Sequence, residues 1–414
     1  MPVERLTLGD ATGAGELAGR LRARVEGGAD VASDVAAIVD AVRARGDEAV
    51  REYAARFDGL PADAALEVGP AELDVALAAL GDDVRAGLEV AIANVDAVAR
   101  AGVAPGAVVT LPQGHEVRLR EVPVGRAAIY VPGGRNPYPS TVVMGVVTAR
   151  AAGVDEVVVA APGSHLVILA AAALTGADRV FRAGGAHAVA ALAFGTAIFP
   201  RADVIAGPGG LHVQEAKRQL SGAVGIDGFY GPSDVLVVAS AGADAEAVAL
   251  DLLAQAEHGP GTIVAAVSDD AALLDDVAAR VEAAWEGEAV AAVVHAPDPD
   301  AALAFAEAFA PEHLELVGDA AEARAPRVRR AGCVFVGARS AVAFGDYVAG
   351  SNHSLPTGGA ARFASGLSAR AFRRRVSEVH IGPAAGALAR AGAPIARAEG
   401  FDRHARSMEF RENG

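Results

Sequence analysis

One cysteine among 414 residues leaves no intrachain disulfide available. Cys333 sits in the strand-like run Cys333-Val334-Phe335-Val336 and reads as a buried, inert thiol rather than a nucleophile. Aromatic residues are also scarce, at 5%. Alanine supplies much of the bulk instead, which suits close packing of helices on sheets. No uninterrupted apolar run reaches about 18 residues, so no spanning helix is indicated. Met1-Pro2-Val3-Glu4-Arg5 lacks the basic-then-apolar order of a secretory signal. Positive charge is in deficit too: the formal net charge of −16 opposes nonspecific binding to nucleic acid or anionic membrane. The one basic cluster, Arg373-Arg374-Arg375, is short and reads as a solvated or interface face. These absences point to a soluble cytoplasmic protein with neither nucleic acid nor membrane as partner.

The length exceeds one ordinary core and implies two or more domains. Residues 1 to about 105 read as helices, with periodic runs through Val35, Ile38, Val39 and Val42 and through Leu88, Val90, Ile92 and Val95. Val108–Leu111 and Val117–Val122 form a β-like pair around the turn Gln113-Gly114. From Ala127 strands and helices alternate, with strand candidates Ala127–Val131, Glu156–Ala160, Arg179–Arg182 and Val204–Ala206. A second series holds Val235–Val238, Thr262–Val267, Ala289–Val294 and Cys333–Val336. Alternation at this spacing means parallel sheets with crossover helices. The expected fold is α/β, with two doubly wound units after a helical start.

The stretch Leu253-Ala254-Gln255-Ala256-Glu257-His258-Gly259 closes a helix whose expected buried face runs through Ala245, Val248, Ala249, Leu252, Leu253 and Ala256. Gln255 and His258, three apart, share a face. Spacing leaves two readings open: a hydrogen-bonded pair at a capped helix end, or an amide oxygen and an imidazole on a metal ion. Other unusual polar groups stand at Gly231-Pro232-Ser233, Glu312-His313-Leu314-Glu315, Gly345-Asp346-Tyr347 and Asn352-His353-Ser354, with Glu399 and His404 in the tail. Imidazole, amide oxygen and carboxylate together can satisfy zinc, a nearby histidine can move protons, and a glutamate can activate water. Glycine-rich turns at Pro132-Gly133-Gly134, Ala183-Gly184-Gly185 and Gly207-Pro208-Gly209-Gly210 permit a dinucleotide phosphate. None is a clean G-x-G-x-x-G.

Taken with Tyr130-Val131-Pro132-Gly133-Gly134, Ala216-Lys217-Arg218 and Ser354-Leu355-Pro356-Thr357, these stretches make the chain resemble histidinol dehydrogenase over nearly its whole length. The resemblance implies two incomplete Rossmann-like domains and a homodimer of intertwined subunits whose active sites are shared. Its expected boundaries are an N-terminal arm at 1–24, a first α/β domain of 25–126 with 233–366, a second Rossmann-like domain of 127–232, and a tail domain of 367–414. It implies a zinc enzyme that oxidises L-histidinol through an aldehyde to L-histidine with two NAD in succession. By motif position Gln255, His258, Asp346 and the other subunit's His404 would hold zinc, with Asp251 as a supporting partner. His313 would take the alcohol proton, and Glu312 would activate the water that adds to the aldehyde. Ser233, His353 and Glu399 match substrate contacts of this amino alcohol, as do Gln255, His258, His313, Asp346 and His404.

Tyr130, His187 and Gly210 match the cofactor contacts, and here the chain departs from the pattern. The family usually has Gln at 187 and Asn at 210, an aromatic at His212, Asn at Gly145 and Pro at Thr148. Losing two amide side chains removes hydrogen-bonding groups for a nicotinamide or ribose. The departures motivate two competing readings: a diverged enzyme acting on another amino or imidazole alcohol or with altered cofactor use, and a non-catalytic zinc-binding paralogue. The intact Glu312-His313 pair argues against the second.

Overall fold

Strands made of Val and Ala without polar alternation need cover on both faces, which only crossover helices provide. A computed structural model shows that arrangement twice. It describes residues 3–25, 30–61, 63–133, 136–163, 165–285 and 287–412. Met1, Pro2 and the turn residue Gly134 lie outside the described residues. The chain divides into a larger unit, Met1–Gly102 with Gly125–Phe372, and a smaller one, Val103–Val124 with Arg373–Gly414.

In chain order the larger unit begins with β1 (Glu4–Thr7) and α1 (Ala14–Arg22). Four helices follow: α2 (Ala32–Arg45), α3 (Asp47–Phe57), α4 (Pro70–Ala78) and α5 (Asp82–Ala101). β2 (Ala107–Thr110) and β3 (Glu116–Pro123) belong to the smaller unit. The first α/β series opens with β4 (Arg126–Tyr130), α6 (Pro139–Ala151), β5 (Glu156–Ala160) and α7 (Leu166–Thr175). It closes with β6 (Arg179–Phe181), α8 (Gly185–Phe194), β7 (Val204–Ala206), α9 (Leu211–Leu220) and β8 (Gly225–Ile226). The second opens with β9 (Asp234–Ala239), α10 (Ala245–Ala256), β10 (Ile263–Ser268) and α11 (Ala271–Ala284). β11 (Val290–His295), α12 (Pro299–Phe309), β12 (His313–Val317), α13 (Asp319–Glu322), β13 (Cys333–Val336) and α14 (Val342–Tyr347) complete it.

The parallel sheets run β6-β5-β4-β7-β8 and β1-β11-β10-β9-β12-β13. Setting β1 aside, both have one strand order, with the reversal between the first and fourth strands of each series. The first three helices of the second series start on aspartates: Asp244, Asp270 and Asp298 each accept at least one backbone N–H that the first turn leaves unpaired. No described helix is long and apolar enough to cross a membrane.

Three strands lacked a readable pattern. β12 carries His313 and Glu315, two ionisable groups in five residues, and becomes a strand because β9 and β13 pair with it on either side. β1 is half-buried and gains its place by pairing with β11. The arginine cluster 373–375 opens β14 (Arg373–His380), which pairs antiparallel with β3 through eight residue pairs. Glu121 of β3 takes Arg375. In the same unit α15 (Ala385–Ala398) packs on α16 (Asp402–Glu409).

The expected first domain joins 25–126 to 233–366, but α2 and α3 pack on α8, and α4 and α5 pack on α7 and α6. Val35, Ile38, Val39, Val42, Ala49, Val50 and Ala54 of α2 and α3 share one buried cluster with the alanine-rich α8. β1 and α1, by contrast, join the second series, against β11 and α12.

Gly145 shows how close the α6–β4 packing is. A Cβ there would stand 2.3 Å from Ile129 Cγ2, so the asparagine expected from the resemblance has no room beside this isoleucine. G145A should therefore destabilise by about 1–3 kcal/mol through overpacking. The pair G145A/I129A, which removes Cγ2, should cost less than the two single changes added together, as read by urea unfolding. A simple sum of the two single effects would contradict this contact.

Candidate active site

A cleft of about 330 Å³ opens between the two α/β series of the larger unit. From the first series come the turn after β4, the start of α6 and the turn after β7, all at strand C-terminal ends or helix N-termini. From the second come Ser233, Glu312 and His313, which stand at the N-terminal ends of β9 and β12, with His258 after α10. Helix α10 runs antiparallel to its strands, so its C-terminal end falls beside these strand starts. Asp346 and His353 close the same wall.

Glu312 is held from both sides. Its Oε2 accepts the Asp234 N–H at 3.1 Å and the Ser233 hydroxyl, while its own N–H donates to Asp234 Oδ1 at 2.7 Å. Gln255 Nε2 donates to Ser233 Oγ, extending the chain of bonds to α10. The residue before Pro311, Ala310, is the one described non-glycine residue at positive φ (49°). Arg22 pins that turn by donating to the carbonyls of Phe309 and Ala310, and it pairs with Asp234 Oδ2 at 3.1 Å. Arg22 and Asp234 were missed by sequence reading. Arg22 lies almost 300 residues from Glu312 and carries no motif, and Asp234 falls between the turn 231–233 and the apolar run 235–238.

Burial pushes Glu312 up to about 7, and the adjacent Asp234 charge adds to that against His313, Ser233 and a backbone N–H. Burial alone would lower His313, but the charges of Glu312 and Asp346 outweigh it and raise the imidazole to about 9. His313 Nδ1 meets the Asp234 carbonyl at 3.2 Å and so carries the proton, leaving Nε2 toward Asp346 Oδ1 at 3.7 Å. Burial works to raise Asp346, yet His313, His353 and His258 hold it below the ordinary carboxylate value.

The candidate metal ligands of this unit suit a cation. His258 Nδ1 donates to the Gln255 carbonyl at 3.1 Å, since a carbonyl only accepts, so the Nε2 lone pair is available. Gln255 spends its amide N–H on Ser233 and keeps its oxygen. With the Asp346 carboxylate this donor set fits zinc with an open position. Among the described residues no three His, Cys, Asp or Glu side chains form a group that could hold a metal. Asp251 turns instead to Glu315, whose carboxyl is pushed up to about 9 by burial and by the Asp251 charge. His353 Nε2 is buried without a partner, as is Thr141 Oγ1 on the opposite wall. Glu399 and His404 belong to the smaller unit, both exposed; the His404 ring lies 5.2 Å from Phe401.

Of the three positions matched to cofactor contacts, Gly210 lines the cleft, and its missing Cβ faces open space. Tyr130 and His187 stand behind the wall. Tyr130 Oη accepts the Gly185 N–H at 3.0 Å, and burial pushes its hydroxyl up to about 12. His187 Nε2 meets Asp58 Oδ2 at 3.0 Å, and the same oxygen takes the Gly184 N–H at 2.8 Å. His212 is exposed on α9, and Thr148 Oγ1 accepts from Asn352 at 3.2 Å, tethering the segment that carries His353.

Residues 21–412 match the family model for histidinol dehydrogenase. The histidinol dehydrogenase of Rhizobium meliloti is 41% identical over 396 residues, covering 91% of each chain. That of Aromatoleum aromaticum is 43% identical, covering 90% of each. A crystal structure of histidinol dehydrogenase from Elizabethkingia anophelis superposes with a TM-score of 0.92 at 27% identity, covering 99% of this chain and 98% of that one. The architecture is shared from end to end, and the chain belongs to the histidinol dehydrogenase family.

Proposed function

We propose that this protein is a zinc- and NAD-dependent dehydrogenase of histidine biosynthesis that oxidises L-histidinol through L-histidinal to L-histidine. The observation that carries the reading is the Glu312-His313 pair: two proton-transfer groups, on consecutive residues, facing one cleft beside a zinc-compatible donor set. Gln255, His258 and Asp346 would hold the metal, and the partner subunit's His404 would complete it in a homodimer. When bound, zinc would orient the amine and imidazole nitrogens of the substrate, and each NAD would accept one hydride. His313 Nε2 removes the hydroxyl proton as the alcohol carbon is oxidised to the aldehyde. Glu312, with Oε2 fixed by Ser233 and Asp234, takes a proton from water through Oε1 as that water adds to the aldehyde. The hydrate then loses its second hydride equivalent and leaves as carboxylate. The unpartnered His353 Nε2 offers the substrate a further polar contact, and Glu399 of the partner subunit suits an imidazole N–H.

Zinc-loaded protein given histidinol and NAD should form two NADH per histidine. No NADH, where a control enzyme turns over, would sink the reading. Both bases act only when deprotonated and both are raised. Turnover should therefore climb with pH, first through about 7 as Glu312 ionises and again toward about 9 as His313 is freed. E312Q should cost about 100-fold or more in aldehyde oxidation while leaving alcohol–aldehyde exchange measurable. Equal loss of both steps would contradict the division of roles.

The enclosed His187 and bare Gly210 favour a second reading, altered cofactor use. G210N adds a side chain into open space and should tighten NAD by roughly tenfold, the worth of one or two hydrogen bonds. H187Q should add nothing, because that side chain is committed to Asp58. A cofactor screen in which NAD is not preferred, before or after G210N, would favour the second reading.

A further inference from the structure

Lysine is rarely buried without a partner, and a hydrophobic pair of equal volume would avoid the desolvation of both charges. Lys217 and Asp227 are nonetheless an ion pair at 2.7 Å with no exposure on either side chain. Their contacts converge on one residue of the turn after β7. Lys217 Nζ donates to the Gly207 carbonyl, and Asp227 Oδ2 accepts the Gly207 N–H at 2.7 Å. Gly207 itself allows nothing else: its φ is +128°, and a Cβ would stand 2.0 Å from the Tyr130 carbonyl oxygen at the end of β4. One helical turn before Lys217, Gln214 makes a second bridge between the same two stretches. Its Nε2 donates to the Gly209 carbonyl at 3.1 Å, and its Oε1 accepts the Tyr230 N–H at 2.7 Å. Lys217 also stands over the Tyr230 ring, 5.1 Å from its centroid.

Two side chains of α9 thus each touch both the turn 207–209 and the stretch 227–230. The turn lines the cleft through Pro208, Gly209 and Gly210. The stretch runs on through Gly231 and Pro232 to Ser233, whose hydroxyl bonds Glu312. We propose that Gln214, Lys217 and Asp227 are positioning residues: they fix the dinucleotide-side turn to the backbone that enters the Ser233–Glu312 network. The two halves of the cleft then keep one spacing. An apolar pair fills space equally well but cannot grip an N–H and a C=O of the same glycine.

The dinucleotide part of this inference rests on the proposed function, so the test reads the clamp with and without cofactor. Q214L and the charge-free double variant K217M/D227N are compared with the parent protein. Without ligand, amide exchange at 207–210 and 228–231 should accelerate tenfold or more while strand residues 236–238 stay protected. With NAD, its KM should rise about tenfold while kcat at saturating NAD stays within threefold and bound zinc is unchanged. Q214L removes no charge, and so keeps the test decisive if the double variant fails to fold. Unchanged exchange at both stretches in folded Q214L would overturn the clamp. KM values for NAD and histidinol rising in step would overturn its role in setting the turn. Faster exchange in a protein whose parent form binds no NAD would uphold the clamp and remove the dinucleotide reading instead.

Discussion

The cleft depends on two carboxylates that bury each other. Asp234 and Glu312 stand at the starts of neighbouring strands, and each accepts the other's backbone N–H. The exchange satisfies two strand-end donors that would otherwise be unpaired in the interior. It also places like charges side by side where water cannot screen them. Arg22 answers for Asp234, and His313 answers for Glu312. Burial still raises both acids. A glutamate with a raised pKa is the form of carboxylate that can act as a base near neutral pH. The arm helix α1 therefore contributes to the electrostatics of the cleft through Arg22, although none of its residues lines it.

The sheets reuse one strand order and present opposite ends to the cleft. In the first series the lining comes from the turns after β4 and β7, the carboxyl ends flanking the reversal, where a doubly wound sheet leaves a crevice. In the second the chemistry comes from the amino ends of β9 and β12, flanking the equivalent reversal. The usual rule for open sheets finds the first wall and points away from the second. What compensates is α10: it returns antiparallel, so its last turn delivers Gln255 and His258 to the strand starts.

This geometry explains what could be read in advance. Most strands of both series follow from apolar runs between glycine and proline turns, β8 and β12 being the exceptions, and the resemblance supplied the order of the site motifs. Gln255, His258, Ser233, Glu312, His313 and Asp346 do converge. The spacing of Gln255 and His258 could not say whether they formed a capped pair or a metal site. The structure shows features of both: the ring N–H bonds the Gln255 carbonyl, and that bond leaves Nε2 open. β12 was illegible because its inward face is polar, and Arg22 because its partner lies far along the chain. The arginines of β14 read as a solvated or interface face because Glu121, the partner of Arg375, sits far back in the chain on β3.

The departures from the family pattern also change meaning once they are placed. As sequence they cluster on the cofactor side and suggest one altered site. In the fold they have separate local causes. Gly145 leaves room for Ile129, Thr148 tethers Asn352, and His187 joins Asp58 behind the Gly184-Gly185 turn. That last contact matters most for a ligand. Asp58 and Tyr130 already occupy the N–H groups of Gly184 and Gly185, so neither of these two donors is open to a phosphate. Of the substituted positions matched to cofactor contacts, only Gly210 opens onto the cleft with space beside it. A change in cofactor preference that arises at position 210 would therefore act through the turn that Lys217 and Asp227 hold.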